Sequence, residues 1–328
     1  LYTGNGSTQT ISTDFSPDFL WFKARGDSGQ HALYDIVRGA SKSLVSNSTA
    51  SEATEGGGLS SFDSAGFSLS GDNTVQGSTN GSGRSYVAWA FDAGSSTVTN
   101  TQGSISSQVR ANASAGFSVA TLTTPGSGTF TVGHGLNVAP SLVICKARNQ
   151  TFTWIVYHRS AGAGNYLVLN TTAASAASAT VWQNTNPSST LVYGDVTNWG
   201  TANYVMYSFA PVAGYANAFS YTGTGGEGPM VYLGMRPRLV LIKRTDSTGS
   251  WFLFDAARSP YNETRKYLLA ESSAAEGDDG DITNGWQLDF LSNGFKIRAD
   301  AALQLNANGG TYVGFAWAES PFQYARAR

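Results

Sequence analysis

Three histidines, a single cysteine, two Asp/Arg pairs at one offset and an acidic loop are the side chains with chemical potential in this 328-residue chain. His31, His134 and His158 would act as general bases or zinc ligands if a carboxylate, a nucleophile or further ligands stood at suitable spacing. No HExxH or zinc-finger spacing surrounds them, and Gly133-His134-Gly135 reads as a turn, so each is read as structural. Cys145 lies in the apolar run Leu142-Val143-Ile144-Cys145, where a buried thiol is inert, and a lone cysteine excludes an intrachain disulfide. Asp35 and Arg38 share their three-residue offset with Asp255 and Arg258, which suits a recurring structural ion pair. A third copy of the pattern offers Tyr157-His158-Arg159 instead, which argues against a shared catalytic role. The loop containing Glu276, Asp278, Asp279 and Asp281 presents hard oxygen ligands on flexible glycines and is the candidate Ca²⁺ site, although it lacks the EF-hand order. A solvated acidic loop is the simpler reading. Trp182 and Trp199 lie in polar, turn-rich stretches and are the candidate platforms for stacking a sugar ring; packing over the end of a β-sandwich is the competing reading. No glycine-rich phosphate loop leads from a strand into a helix, and no cofactor beyond the candidate calcium is expected.

What would position these residues is a unit that occurs three times. Its opening is Pro17-Asp18-Phe19-Leu20-Trp21-Phe22-Lys23, then Pro140-Ser141-Leu142-Val143-Ile144-Cys145-Lys146, then Pro237-Arg238-Leu239-Val240-Leu241-Ile242-Lys243. Proline starts an extended run, four apolar residues bury, and the lysine is expected to emerge into solvent. Each copy closes alike, in Tyr86-Val87-Ala88-Trp89-Ala90-Phe91, Tyr204-Val205-Met206-Tyr207-Ser208-Phe209 and Tyr312-Val313-Gly314-Phe315-Ala316-Trp317. Period-two alternation puts Trp89, Tyr207 and Phe315 on the bulky face and small residues on the other, the pattern of a central strand covered on both sides. The turn before it in the first and third copies suggests one arm of a hairpin or meander. Middle strands at residues 33–38, 154–158 and 251–258 and a fourth at 66–69 and 294–298 complete the pattern. The expected fold is all-β, three tandem β-sandwich units of jelly-roll or lectin-like type. The boundaries fall at residues 1–94, 116–214 and 215–328, with 95–115 a polar linker or outer strand.

Composition agrees with that architecture: 38 glycines, 41% hydrophobic residues and only 13% charged ones favour short strands and many turns. A formal net charge of −2 argues against a nucleic-acid partner. No apolar stretch is long enough for a membrane helix, and the irregular strand spacing fits an outer-membrane barrel poorly. Leu1 is not an initiator methionine and no signal-peptide pattern follows it, so the natural chain is expected to begin upstream.

The combination of Tyr2-Thr3-Gly4, the Pro-x-four-apolar-Lys opening, Trp251 with Asp255 and Arg258, Gly133-His134-Gly135-Leu136, the Tyr-Val closing strand and Ala318-Glu319-Ser320-Pro321-Phe322 resembles a repeat domain of unassigned function found in tail-fibre and minor structural proteins of tailed, especially marine, bacteriophages. That resemblance covers nearly the whole chain, with the second copy departing at the Asp and Arg positions. It implies a non-enzymatic virion surface protein, a tail fibre or appendage, whose partners are further copies of itself, other virion proteins and host surface glycans. The alternatives are a self-assembling subunit of a virion decoration or extracellular filament, joined through edge strands or residues 1–11, and a polysaccharide depolymerase.

Overall fold

The computed structural model describes residues 1–278, 286–298 and 304–318. The chain is nearly all β, as the composition leads one to expect. In its first part lie β1 (Tyr2–Thr3), β2 (Thr8–Ser12), β3 (Phe19–Ala24), β4 (Ala32–Asp35), β5 (Lys42–Ser43), β6 (Ala53–Thr54), β7 (Leu59–Asp63), β8 (Gly66–Ser70) and β9 (Ser85–Phe91). There follow β10 (Thr97–Asn100), β11 (Ser107–Asn112), β12 (Phe117–Thr123), β13 (Thr129–Gly133), β14 (Leu142–Ala147), β15 (Ile155–His158), β16 (Asn165–Val168), β17 (Ala176–Ala177), β18 (Leu191–Asp195), the short helix α1 (Val196–Trp199) and β19 (Asn203–Phe209). The last group is β20 (Ala216–Thr222), β21 (Met230–Tyr232), β22 (Pro237–Arg244), β23 (Trp251–Asp255), β24 (Lys266–Leu269), β25 (Gly277–Asp278), β26 (Leu288–Leu291), β27 (Gly294–Ile297) and β28 (Thr311–Ala318).

Three large antiparallel sheets have one strand order in common. The first runs β1-β9-β3-β4, the second β10-β11-β12-β19-β14-β15-β16-β17, and the third β20-β28-β22-β23-β24-β25. Registers coincide as well: Trp21 faces Trp89, Ile144 faces Tyr207 and Leu241 faces Phe315. The closing strands are therefore central, as their two covered faces require. They are not arms of a hairpin with the strand before them, because β8 and β27 belong to separate small sheets, β2-β8-β7 and β21-β27-β26, while β13-β18 is the small sheet of the second group. Those small sheets need glycine at one corner. A Cβ on Gly66 or Gly294 would lie 2.0 Å from the carbonyl oxygen of Ile11 or Val231 on the paired strand.

Each large sheet is buried on both faces. On one, the bulky residues of all three sheets meet in a single core that includes Trp21, Trp89, Ile144, Tyr207, Leu241 and Phe315. On the other, each sheet packs over its small sheet in a core of its own: Leu20, Phe22, Phe67 and Leu69 in the first, Val143, Met206, Phe130 and Val192 in the second, and Val240, Ile242, Phe290 and Phe295 in the third. Continuous burial along β3 and β14 follows from this double covering.

Two sequence expectations change here. Lys23, Lys146 and Lys243 do not emerge; all three are fully buried. Their ammonium groups turn back onto main-chain carbonyls, Lys23 to Ala24 at 2.6 Å, Lys146 to Ala147 at 2.8 Å and Lys243 to Gly249 at 2.6 Å. Burial pulls each down to about 8. Residues 1–11, expected as an arm for a neighbour's sheet, pair inside their own chain, β1 with β9 and β2 with β8. Within the polar stretch 95–115, β10 and β11 form a hairpin that extends the second large sheet beyond β12.

Candidate functional site

Chemistry-bearing residues gather where the large sheets meet. At the junction of the second sheet with the first, Arg38 Nε donates to Asp35 Oδ2 at 2.5 Å and its Nη1 to Glu52 Oε2 at 3.1 Å, while Arg148 crosses from the second sheet to the Glu52 carboxylate at 2.9 and 3.0 Å. The Tyr207 hydroxyl, also from the second sheet, donates to Asp35 at 2.8 Å. The junction of the first sheet with the third repeats this plan. Arg258 holds Asp255 at 2.5 Å and Glu276 at 3.1 Å, Arg25 crosses to Glu276 at 2.8 and 2.9 Å, and Trp89 Nε1 donates to Asp255 at 3.2 Å. Burial alone would raise these carboxyls, yet the guanidinium groups hold Glu52, Asp255 and Glu276 below their ordinary range.

The third junction, between the third and second sheets, lacks every member of that set. By register and by the matching main-chain bonds, His158 stands at the Asp position, Ala161 at the Arg, Ser175 at the Glu, Thr245 at the crossing Arg and Phe315 at the Trp or Tyr. The matching bonds are Glu52 N to Arg148 O, Glu276 N to Arg25 O and Ser175 N to Thr245 O, at 2.7 to 2.9 Å. His158 Nδ1 accepts from Ser160 N, so Nε2 carries the hydrogen, and it donates to Gly314 O at 3.0 Å. Wholesale replacement has a physical reason: a buried charge network missing one partner costs more than no network.

A second ring of bonds is complete at all three junctions. His31 Nε2 donates to Leu269 O, Trp154 Nε1 to Val45 O and Trp251 Nε1 to Val168 O, at 2.9 to 3.0 Å. The His31 tautomer is fixed because its Nδ1 accepts from Trp21 Nε1 at 2.8 Å. Burial, reinforced by the Lys23 charge, lowers His31 to about 3, and burial lowers His158 to about 4. His134 is buried in the same way, between Leu136 N and Ser188 O.

The candidate sugar platforms are overturned. Trp182 and Trp199 are fully buried in the second group's own core, edge to face with one another at 5.5 Å, and Trp199 Nε1 is bonded to Val181 O. Neither ring has a free face on which a sugar could stack. In the acidic loop, Glu276 is engaged by two arginines and so is not a free calcium ligand, and Asp278 ends β25 opposite Lys266. Asp279 and Asp281 lie outside the described residues, as do Glu319 to Phe322. Among the described residues no three His, Cys, Asp or Glu side chains stand together as a metal site. The proline positions Pro17, Pro140 and Pro237 stand at the head of β3, β14 and β22, where Pro237 opens a register shift against β28.

Cys145 is fully buried, and burial pushes its thiol well above the usual value. It is expected to resist a disulfide reagent such as DTNB in the native protein and to react once in denaturant; prompt native reaction would show that the second group's core opens. Exposed aromatics lie elsewhere. Tyr232 is 68% exposed and Tyr261 83%, and Met230 sits beside Tyr232 on β21. The corresponding strand of the first group, β2, places Thr10 and Ser12 there. Reading from sequence missed Tyr232, whose signal is the Met-Val-Tyr alternation ahead of Pro237.

The chain belongs to the family described as domain of unknown function DUF7483, whose family model matches residues 1–321. No curated protein and no solved structure matches it.

Proposed function

We propose that this member of the family is a structural protein of a phage virion, a tail fibre or surface appendage. In this reading its three groups are copies of one sandwich unit, closed on each other as a rigid block. The observation that carries the proposal is the use of the polar groups. The buried Asp, Arg, Glu, His and Trp side chains at the three junctions are engaged in tying sheet to sheet, a use suited to a load-bearing module and unlike an open catalytic cleft. Support also comes from the Pro-to-Lys opening and Tyr-Val closing motifs, which resemble the repeat of such proteins. Immunogold labelling of purified particles with antibody against this chain is the test. The expected result is label on the tail or surface; particles that lack the chain by labelling and by mass spectrometry would overturn it.

A second reading, host glycan binding, is favoured by one feature. Tyr232 and Met230 replace hydroxyl residues on the solvent face of a small sheet, and an exposed tyrosine ring is a surface on which a sugar can stack. Tyr232→Ala and Tyr261→Ala are then expected to abolish glycan-array signal without changing Tm, and equal signal from wild type and variants would count against it.

A further inference from the structure

The second and third large sheets differ at one edge. In the second, the outer side of β12 is covered by β11, which pairs with it from Ser107 to Asn112. In the third, β20 takes the place of β12 and is the outermost strand, with nothing in the place of β11 among the described residues. The difference lies in the middle of the chain. The β10 and β11 hairpin occupies the connection between β9 and β12, whereas residues 210–215 alone connect β19 to β20 and turn back on themselves, Val212 and Ala216 exchanging both main-chain bonds. Gly223 N donates to Gly310 O in register with the ladder between β20 and β28, and antiparallel ladders alternate, so Asn217, Phe219 and Tyr221 direct their main-chain groups towards β28. The N–H and C=O groups of Ala218, Ser220 and Thr222 therefore point outward, and no described residue pairs with them there. Ser220 and Thr222 are exposed, and the cleft beside this edge is lined by the small side chains of Ser160, Ala161 and Thr245. From Val212 to Gly226 there is neither a charged residue nor a proline, the residues that commonly keep an exposed edge from pairing.

This edge is complementary to itself. When two copies of β20 run antiparallel about a two-fold axis at Ser220, the outward groups of Ser220 meet those of the other Ser220, and those of Ala218 meet those of the other Thr222, with neither charge nor bulk between them. On the face that packs over the small sheet, each Phe219 then stands beside the other copy's Tyr221, in the non-hydrogen-bonded position where cross-strand side chains come closest. Tyr221 is only partly buried within one chain. The second sheet shows what this position takes: β11 sets the buried Val109 opposite Ala120, the equivalent of Phe219 by register. We propose that β20 is a dimerisation edge, at which a second copy of this chain adds its own β20 and joins the two third sheets into one. Main-chain bonds at Ala218, Ser220 and Thr222 give affinity, and the aromatic pairs give register. The contact uses the same patch of both copies, so it closes at two subunits. This inference goes beyond the virion reading and stands or falls independently of it.

The test is sedimentation equilibrium of the full chain over a concentration series. A monomer–dimer equilibrium with no larger species is expected. Ser220→Lys and Ser220→Asp each set like charges directly opposite one another and are expected to weaken the dimer at least about tenfold. Mixing the two variants sets opposite charges there and should restore dimerisation to at least the wild-type level. Because Ser220 is exposed, both are expected to keep the wild-type Tm. Should either variant fail to fold, hydrogen exchange on the wild-type protein decides: the Ala218, Ser220 and Thr222 amides should exchange fast in dilute solution and slowly in concentrated solution. A monomer up to about 1 mM, association that continues past the dimer, equal dimerisation in the single variants, a mixture no better than its parts, or amides unchanged by concentration would each overturn the proposal.

Discussion

Arg38→Met is expected to destabilise the protein by about 3–5 kcal/mol, the cost of leaving the buried Asp35 carboxylate without its cation. Arg38 is enclosed, and its guanidinium serves Asp35, Glu52, the carbonyls of Leu33 and Lys42, and Tyr207. Methionine fills much of the volume and satisfies none of these. The informative comparison is the full exchange of the junction to the set found at the third one: Asp35→His, Arg38→Ala, Glu52→Ser, Arg148→Thr and Tyr207→Phe. Because that set is self-consistent, the five together should cost less than the sum of the single losses, with a coupling of at least about 2 kcal/mol. Chemical denaturation of the singles and the set measures it. Additive losses would mean that the third junction is tolerated for a reason other than removal of the network as a whole.

Acid is the second lever. His31 and His158 are held neutral, at about 3 and about 4, because each ring is buried and, for His31, the Lys23 charge lies nearby; each Nδ1 also accepts from an N–H donor. The unfolded chain takes up these protons near pH 6.5 and the folded chain does not, so it binds fewer protons than the unfolded state between pH 6.5 and 4. Stability contributed by the two histidines is thus complete above pH 6.5 and lost as the pH falls through that window, by about 3 kcal/mol for each. Glu52, Asp255 and Glu276, also held low, add a loss below the ordinary carboxylate range. Asp18 and Glu271, which burial raises, oppose it there. Thermal melts from pH 7 to 4.5 should show a steep fall in Tm. The double variant His31→Gln/His158→Gln, which keeps an acceptor and a donor without the titration, should flatten the limb between pH 6.5 and 4.5. An unchanged slope would show that other groups drive acid melting.

Much of the architecture is legible in the strings of residues themselves. The Pro-to-Lys and Tyr-to-Phe or Trp segments name the central strands, and their alternation names the bulky face, because a two-residue period admits only one assignment of faces. What that face packs against is not legible. Trp21, Tyr207 and Leu241 look like residues of three separate interiors, and only the closed arrangement of sheets makes them one. The lysine at the end of each opening strand misleads for a related reason: it follows the alternation into the core, and main-chain carbonyls replace the water that its charge would seek. Glu52 escapes notice, and Glu276 is read only as a candidate calcium ligand, because the two follow Asp35 and Asp255 at unequal distances, through loops of different length. Trp182 and Trp199 mislead in the opposite sense, since polar neighbours in sequence do not prevent a ring from turning inward onto Phe130 and Tyr157.

The common core also dictates an order of events at the ribosome. Trp21 and Trp89 are made early, but Phe315 and Trp317, which pack into the same interior, follow far downstream. At synthesis rates of ~5–20 residues per second, the face carrying the two early tryptophans waits roughly ten seconds or longer for its last neighbours. Throughout that interval the nascent chain displays a broad aromatic surface. Production in a host is therefore expected to depend on how well chaperones shield the first two sheets until the third arrives.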